Sequence, residues 1–158
     1  MKNPKNILLF HGEAGCGKTK LCAGLMEWAF ISFNSFRVHR ELDLLSKLRN
    51  SFNEISAADY SIILDGMIDD EFVILDDVGS GINPDKVSYK DLEWRREIFF
   101  NFLDNRYNST LPTLITSNFT KKQFDDVYSD RITSRLFASE NIVIPMFGDD
   151  LDYRAKGY

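Results

Sequence analysis

Disulfide scaffolding, membrane insertion and bulk positive charge are all missing from this chain of 158 residues. It has only two cysteines, Cys16 and Cys22, too few for a disulfide framework. On a helix their spacing would point them to different faces, which argues against a bridge. No apolar run reaches the roughly 18 to 20 residues that span a bilayer, so no membrane partner is expected. The start, Met1-Lys2-Asn3-Pro4-Lys5-Asn6, runs straight into a strand-like stretch. It lacks the apolar region and cleavage site of a signal peptide. Basic residues are outnumbered, 19 Lys and Arg against 24 Asp and Glu, for a net charge of −5. That excludes a nucleic-acid binder held by overall charge but leaves room for a local basic patch. No internal repeat, low-complexity tract or Pro/Gly/Ser-rich linker divides the chain. What remains is one domain's worth of sequence, 44% hydrophobic and expected in the cytoplasm. Aromatic residues, in contrast, are plentiful: 13 Phe, 6 Tyr and 2 Trp.

Apolar bursts alternate with helical patterns, which predicts an α/β domain with a mainly parallel sheet. Ile7-Leu8-Leu9-Phe10 and Phe72-Val73-Ile74-Leu75 are continuous apolar runs of buried-strand length. Thr113-Leu114-Ile115-Thr116 and Ile142-Val143-Ile144 add two more strands, and Phe36-Arg37-Val38-His39 a weaker one. Helical stripes run through Leu21, Leu25, Trp28 and Ala29, then through Leu42, Leu45, Leu48 and Phe52. A long helix carries Trp94, Ile98, Phe99, Phe102, Leu103 and Tyr107 on one face, and a short one lies near Asp130 to Phe137. Packing of these faces into the core accounts for much of the aromatic excess.

Gly12-Glu13-Ala14-Gly15-Cys16-Gly17-Lys18-Thr19 satisfies G-x-x-x-x-G-K-[ST] at every fixed position. It follows a buried-type strand and opens a helix, the context its chemistry requires. Glycines let backbone N–H groups turn inward around phosphate oxygens, and the helix adds its positive dipole end. Lys18 is expected to reach the β- and γ-phosphates of ATP, the Thr19 hydroxyl to ligate Mg²⁺, and Lys20 to flank the nucleotide. Cys16 sits among these amides, where a thiolate would be favoured, but the simpler reading is a small residue in a tight loop.

Phe72-Val73-Ile74-Leu75-Asp76-Asp77 is an apolar strand ending in two carboxylates. A parallel sheet opens its ligand crevice at the C-terminal ends of its strands. Asp76 is therefore placed to hold the magnesium, largely through water, and Asp77 to act as general base on the attacking water. Glu71, Asp70 and Asp69 upstream read as a solvated turn. Leu114-Ile115-Thr116-Ser117-Asn118 ends another core strand in polar residues, with Asn118 the candidate contact to the γ-phosphate. Arg131 and Arg135, four apart, share one face of the short helix. By pattern alone the reading as surface ion pairs prevails, because most exposed arginines are that.

Taken together, these residues resemble the AAA+ ATPase domain of bacterial and phage replicative helicase loaders of the DnaC/DnaI type, with the transposition ATPase IstB as a close relative. Beyond the two phosphate-site motifs, the resemblance rests on Asp43-Leu44-Leu45, Leu48-Arg49-Asn50-Ser51-Phe52 and Trp94-Arg95-Arg96-Glu97. It continues through Asn105-Arg106-Tyr107-Asn108, Leu111-Pro112-Thr113, Thr116-Ser117-Asn118 and Asp130-Arg131-Ile132-Thr133-Ser134-Arg135-Leu136. It implies a P-loop NTPase of the AAA+ (ASCE) type: five parallel strands flanked by helices, one of them inserted between the two motif-bearing strands, and no C-terminal helical lid. By the same resemblance Asn118 is sensor I, Arg135 an arginine finger acting on a neighbouring subunit, Arg131 its supporting neighbour, and Arg154 a C-terminal nucleotide sensor. Related ATPases often carry Glu where this chain has Asp77.

The resemblance further implies slow ATP hydrolysis to ADP and phosphate, an ATP-dependent homo-oligomer (an open spiral or filament), and two partners: single-stranded DNA and a replicative helicase of the DnaB type. Lys47, Arg49, Lys121 and Lys122 are the candidate DNA contacts, against a reading as solvated surface charge. Residues 1–158 are expected to be a single ATPase domain without the family's helicase-gripping N-terminal segment. The competing expectations are an IstB-like transposition ATPase, a nucleotide-binding decoy that joins loader complexes, and a small nucleotide kinase.

Overall fold

The computed structural model describes residues 6–54, 57–82 and 87–147. Elements follow in the order β1 (Ile7–Gly12), α1 (Lys18–Ser32), β2 (Phe36–Arg40), α2 (Glu41–Glu54), α3 (Ala57–Asp69), β3 (Phe72–Val78), α4 (Tyr89–Asn108), β4 (Thr113–Ser117), α5 (Lys121–Tyr128), α6 (Asp130–Leu136) and β5 (Ile142–Met146). All strand pairs are parallel, in the order β2-β3-β4-β1-β5. The expected insertion is present: β4 separates β1, which feeds the phosphate loop, from β3, which ends in the two carboxylates. Among the described residues no helix follows β5.

Two apolar layers hold the sheet. On one face Leu9, Leu75 and Ile115 pack against Leu44, Leu48, Phe99, Phe102, Phe124 and Tyr128 from α2, α4 and α5. On the other, Phe10, Ile74 and Leu114 meet Cys22 and Ala29 of α1. β1, β3 and β4 are central, and β1 and β3 open on unbroken apolar runs because both their faces are covered.

Several expectations change. Only half of the α1 stripe is buried: Ala29, joined by Cys22, faces the sheet and Leu25 packs against that layer, while Leu21 and Trp28 lie on a flank, 45% and 52% exposed. Periodicity could not choose the face because apolar residues surround this helix. In α2 the buried set is Glu41, Leu44, Leu45 and Leu48, with Leu42 exposed. Cys16 lies in the loop before α1, so the helix-face argument applies only to Cys22, and both cysteines are buried free thiols. The acidic turn before β3 is partnered. Arg37 forms an ion pair with Asp70, and Glu71 accepts hydrogen bonds from the Asn34 backbone N–H and Nδ2 at 3.0 and 2.9 Å. The helices α3 and α5 were not expected. α5 is announced by a capping box in which Thr120 and Gln123 cap each other's backbone N–H groups.

Arg106, a residue of the resemblance, proves to be a fully buried clamp. Its guanidinium donates to the carbonyls of Met67, Ile68 and Asp70 at the end of α3, to the Pro112 carbonyl, and to Thr113 Oγ1. Burial lowers its pKa to about 10, so it remains a cation at neutral pH.

Candidate nucleotide-binding site

β1 ends at Gly12, whose φ is 150° and whose absent Cβ would lie 2.0 Å from the Met146 carbonyl oxygen. Only glycine lets β1 and β5 stay paired while the chain leaves the sheet here. Gly17, at φ 91°, then turns the loop into α1. No side-chain oxygen caps this helix and no acid stands in its first turn, so its N-terminal N–H groups and dipole remain directed at the cleft. Lys18 is buried, and its Nζ donates to the Gly12 and Glu13 carbonyls at 2.9 and 2.6 Å. Cys16 is packed into the loop with its thiol donating to the Glu13 carbonyl at 2.9 Å, as a small loop residue should be.

The opposite wall comes from a register shift. Leu75 pairs with Ile115 and Val78 with Ser117, so Asp76 and Asp77 together oppose Thr116 alone. That is a β-bulge, and it puts Asp77 at φ 61°. Thr116 holds both sides of it: its hydroxyl donates to Asp76 Oδ1 at 2.6 Å and accepts the Asp77 backbone N–H at 2.8 Å. Thr19 Oγ1 lies 3.3 and 3.4 Å from the two Asp76 oxygens, bringing hydroxyl and carboxylate together across the sheet. Asp77 Oδ1 accepts from Asn118 Nδ2 at 3.0 Å, and its Oδ2 lies 3.5 Å from the Arg40 guanidinium.

The cleft between these walls has a volume of about 370 Å³ and is lined by Ala14, Gly15, Gly17, Lys18, Thr19, Lys20, Arg40, Asp77, Thr116 and Asn118. It thus gathers eight of the site residues expected from the sequence: Ala14, Gly15, Gly17 to Lys20, Asp77 and Asn118. Gly12, Glu13 and Cys16 of the same loop do not line it, and Asp76 is buried beside it against Thr19 and Thr116. Arg40 and Thr116 were not anticipated as site residues. Thr116 was visible as part of a polar strand end, whereas Arg40 had no signal beyond closing a weak strand.

A buried network supports the acidic wall. Glu41 accepts the Gly79 N–H at 2.7 Å, is ion-paired with Arg95, and also accepts the Tyr128 hydroxyl. Beside the glycine loop, His11 donates from Nδ1 to the Phe119 carbonyl at 3.2 Å. Burial, only partly offset by that bond, and the charge of Lys18 hold its pKa below the ordinary histidine value.

Arg131 and Arg135 lie on α6, outside the cleft of their own chain. Their guanidiniums stand over the Phe100 ring at 3.9 and 5.0 Å, and Arg135 Nε donates to Asp104 Oδ1 at 2.7 Å. Arg154 falls outside the described residues. Of the candidate DNA contacts, Lys47 and Lys122 are exposed, Arg49 pairs with Asp91 at 2.8 Å and Lys121 stands over Phe137. No helix among the described residues is long and apolar enough to cross a membrane.

The family profile described as IstB-like ATP binding protein matches residues 1–138. No curated protein matches the chain. Among solved structures, the DnaC helicase loader superposes with a TM-score of 0.71 at 20% identity, over 92% of this chain and 81% of its own. DnaI does so with a TM-score of 0.68 at 26% identity, over 93% and 72%. The replication initiator DnaA, bound to AMPPCP and single-stranded DNA, gives a TM-score of 0.74 at 18% identity. It is matched over 96% of this chain, which spans 43% of DnaA's length. The fold is that of an AAA+ P-loop ATPase.

Proposed function

Because the chain belongs to the IstB-like ATP-binding protein family, we propose that it is an ATP-switched assembly factor of DNA replication, a helicase loader or loader-like protein. One observation carries the chemistry: Thr19 meets Asp76 within 3.4 Å across the sheet, while Asp77 and Asn118 pair at 3.0 Å beside them. The loop from Gly12 to Lys20 would cradle the phosphates of ATP, with Lys18 at the β- and γ-groups. A hydroxyl and a carboxylate side by side form a hard-oxygen pair that suits Mg²⁺, which when bound would offset phosphate charge. Asp77 would accept the proton of the water that attacks the γ-phosphorus, yielding ADP and phosphate. Asn118 would hold that carboxylate and contact the γ-phosphate. A base already engaged by two donors suits a slow ATPase whose output is a conformational state.

Arg135, with Arg131 beside it, would complete the cleft of a neighbouring copy, and its place outside its own cleft supports action in trans. Arg154 is proposed to sense nucleotide. The assembly would be an ATP-dependent spiral or filament on single-stranded DNA that engages a DnaB-type helicase in the bacterial cytoplasm, whether encoded by the cell or by a phage. Likeness to DnaI and to the DnaC helicase loader supports this reading.

The test is capture of replicative helicase by the ATP-bound protein, with size analysis in the presence and absence of single-stranded DNA. Arg135→Ala should bind ATP as a monomer yet lose assembly-stimulated hydrolysis. A protein that stays monomeric with ATP and DNA and captures no helicase would refute the proposal. Assembly on DNA without helicase capture would favour the second reading, an IstB-like transposition ATPase, which the family match supports.

A further inference from the structure

Arg135 lies in the last turn of α6, and every nitrogen of its guanidinium is already engaged within its own subunit. Nε donates to Asp104 Oδ1 of α4 at 2.7 Å, and Nη2 lies 2.6 Å from the same oxygen. Nη1 donates to the Arg131 carbonyl at 3.0 Å, and the guanidinium stands 5.0 Å from the centre of the Phe100 ring. The carboxylate is tied down as well, because its Oδ2 accepts from Asn108 Nδ2 at 3.2 Å. With 25% and 29% of their side chains exposed, the two partners are screened less than a surface pair.

Asp104 does not line the nucleotide cleft. The seat of α6 has other support, since Ile132 and Leu136 are buried in the core. Arg131, on the same face, stands 3.9 Å over Phe100 and has no ion pair among the described residues. Of the two arginines, the carboxylate therefore holds Arg135 alone. N–H groups spent on Asp104 are not offered to a phosphate in another subunit, and Asn108 keeps the carboxylate from following the guanidinium outward. A terminal phosphate carries more charge than a carboxylate and gives a guanidinium a bidentate partner. Carboxylate and phosphate repel each other, so Arg135 exchanges one for the other rather than bridging both.

We propose that Asp104 is a latch: it holds Arg135 in the free subunit, yields it to a neighbour's terminal phosphate, and so sets the protein concentration at which ATP-dependent assembly begins. The inference rests on the reading of Arg135 as a residue that acts in trans. Asp104 is a positioning residue here, acting on the nucleotide only through Arg135.

The test measures assembly of the whole chain against protein concentration, by sedimentation with AMPPCP and Mg²⁺, and ATP hydrolysis over the same range. Asp104→Asn keeps the size and an acceptor but loses the charge. It should lower the half-assembly concentration roughly three- to fivefold, with the hydrolysis rate at saturating protein unchanged. In an Arg135→Ala background the same substitution should change nothing. A threshold that stays put or rises in Asp104→Asn, while Arg135→Ala loses assembly, overturns the latch and leaves the action in trans standing; a purely structural pair would give that result. A threshold that falls equally without Arg135 also overturns it. An Arg135→Ala protein that assembles and hydrolyses like its parent, or a parent that never assembles, overturns the underlying reading and this inference with it.

Discussion

Replacing Thr116 with valine keeps the shape of a side chain that is 1% exposed and removes only its hydroxyl. Two hydrogen bonds disappear, one to Asp76 at 2.6 Å and one from the Asp77 N–H at 2.8 Å. The first serves a carboxylate that is 6% exposed, where a bond to a charged group contributes roughly 1.5 to 3 kcal/mol. The second serves a backbone donor inside the bulge. Leaving that donor unpaired costs about 1 kcal/mol or more, reduced by whatever water reaches it from the cleft. The sum is roughly 2 to 4 kcal/mol, which for a domain of this size lowers the melting temperature by roughly 6 to 12 °C. In urea the midpoint should fall by about 1 to 2 M with an unchanged slope. Thr116→Ser keeps the hydroxyl and should lose only about 1 kcal/mol for the buried methyl. In an Asp76→Asn background the valine substitution should cost about 1 kcal/mol less, because the charged acceptor is gone. Midpoints that agree within about 0.2 M, or single and double variants that add within about 0.3 kcal/mol, would refute the idea that Thr116 holds the bulge together.

Two further outcomes test the scaffold around the site. Arg106→Leu strands the Met67, Ile68, Asp70 and Pro112 carbonyls. It should therefore destabilise the protein by about 4 kcal/mol or more in urea titration, with Arg106→Lys recovering little because an ammonium cannot span those acceptors; a loss under about 1 kcal/mol would discredit the clamp. Burial lowers the His11 pKa, so the fold holds the neutral ring. That contribution is intact above the unfolded value of about 6.5 and declines as pH falls below it. His11→Asn should therefore flatten the stability profile between about pH 7 and 5, and parallel profiles for the two proteins would contradict the assignment.

How much of this was legible in the sequence follows from where each signal resides. The phosphate loop is local, with residue types and spacing written consecutively, and Gly12 through Lys20 fall where the motif puts them. β1 and β3 were legible because strands covered on both faces are apolar over most of their length, and β4 through Leu114 and Ile115 between β-branched threonines. The outer helix α1 misled because Leu21, Trp28, Phe30 and Ile31 are apolar yet exposed, so its periodicity named no single face. Ala57–Asp69 does carry Tyr60, Ile63, Leu64 and Met67 at helical spacing, but Asp59, Ser61, Asp65 and Gly66 interrupt the segment and Ile62 lies exposed off that face, which obscured α3. Arg40 and Thr116 were missed for a different reason. What makes them site residues is strand register, Arg40 beside Asp76 and Thr116 opposite a two-residue bulge, and no local pattern encodes that pairing.

The same reasoning explains the buried charges at Glu41. Its partners Arg95 and Tyr128 lie 54 and 87 residues away, so no spacing rule could join them. Burying an ion pair costs desolvation that its attraction only partly offsets, and packed apolar side chains would hold α2 against α4 and α5 as firmly. An apolar substitute could not accept the Gly79 N–H, which Glu41 does at 2.7 Å. Gly79, at φ 88°, lies two residues beyond Asp77, where the chain turns away after the bulge. An acceptor is therefore required here, and once a carboxylate is buried it must be matched by a cation and a hydroxyl. Arg95 also donates to the Ser80 carbonyl at 3.1 Å, so both halves of the pair grip the same loop. The network ties the end of β2 to the turn after β3, which fixes the backbone on which Arg40 and Asp77 face each other.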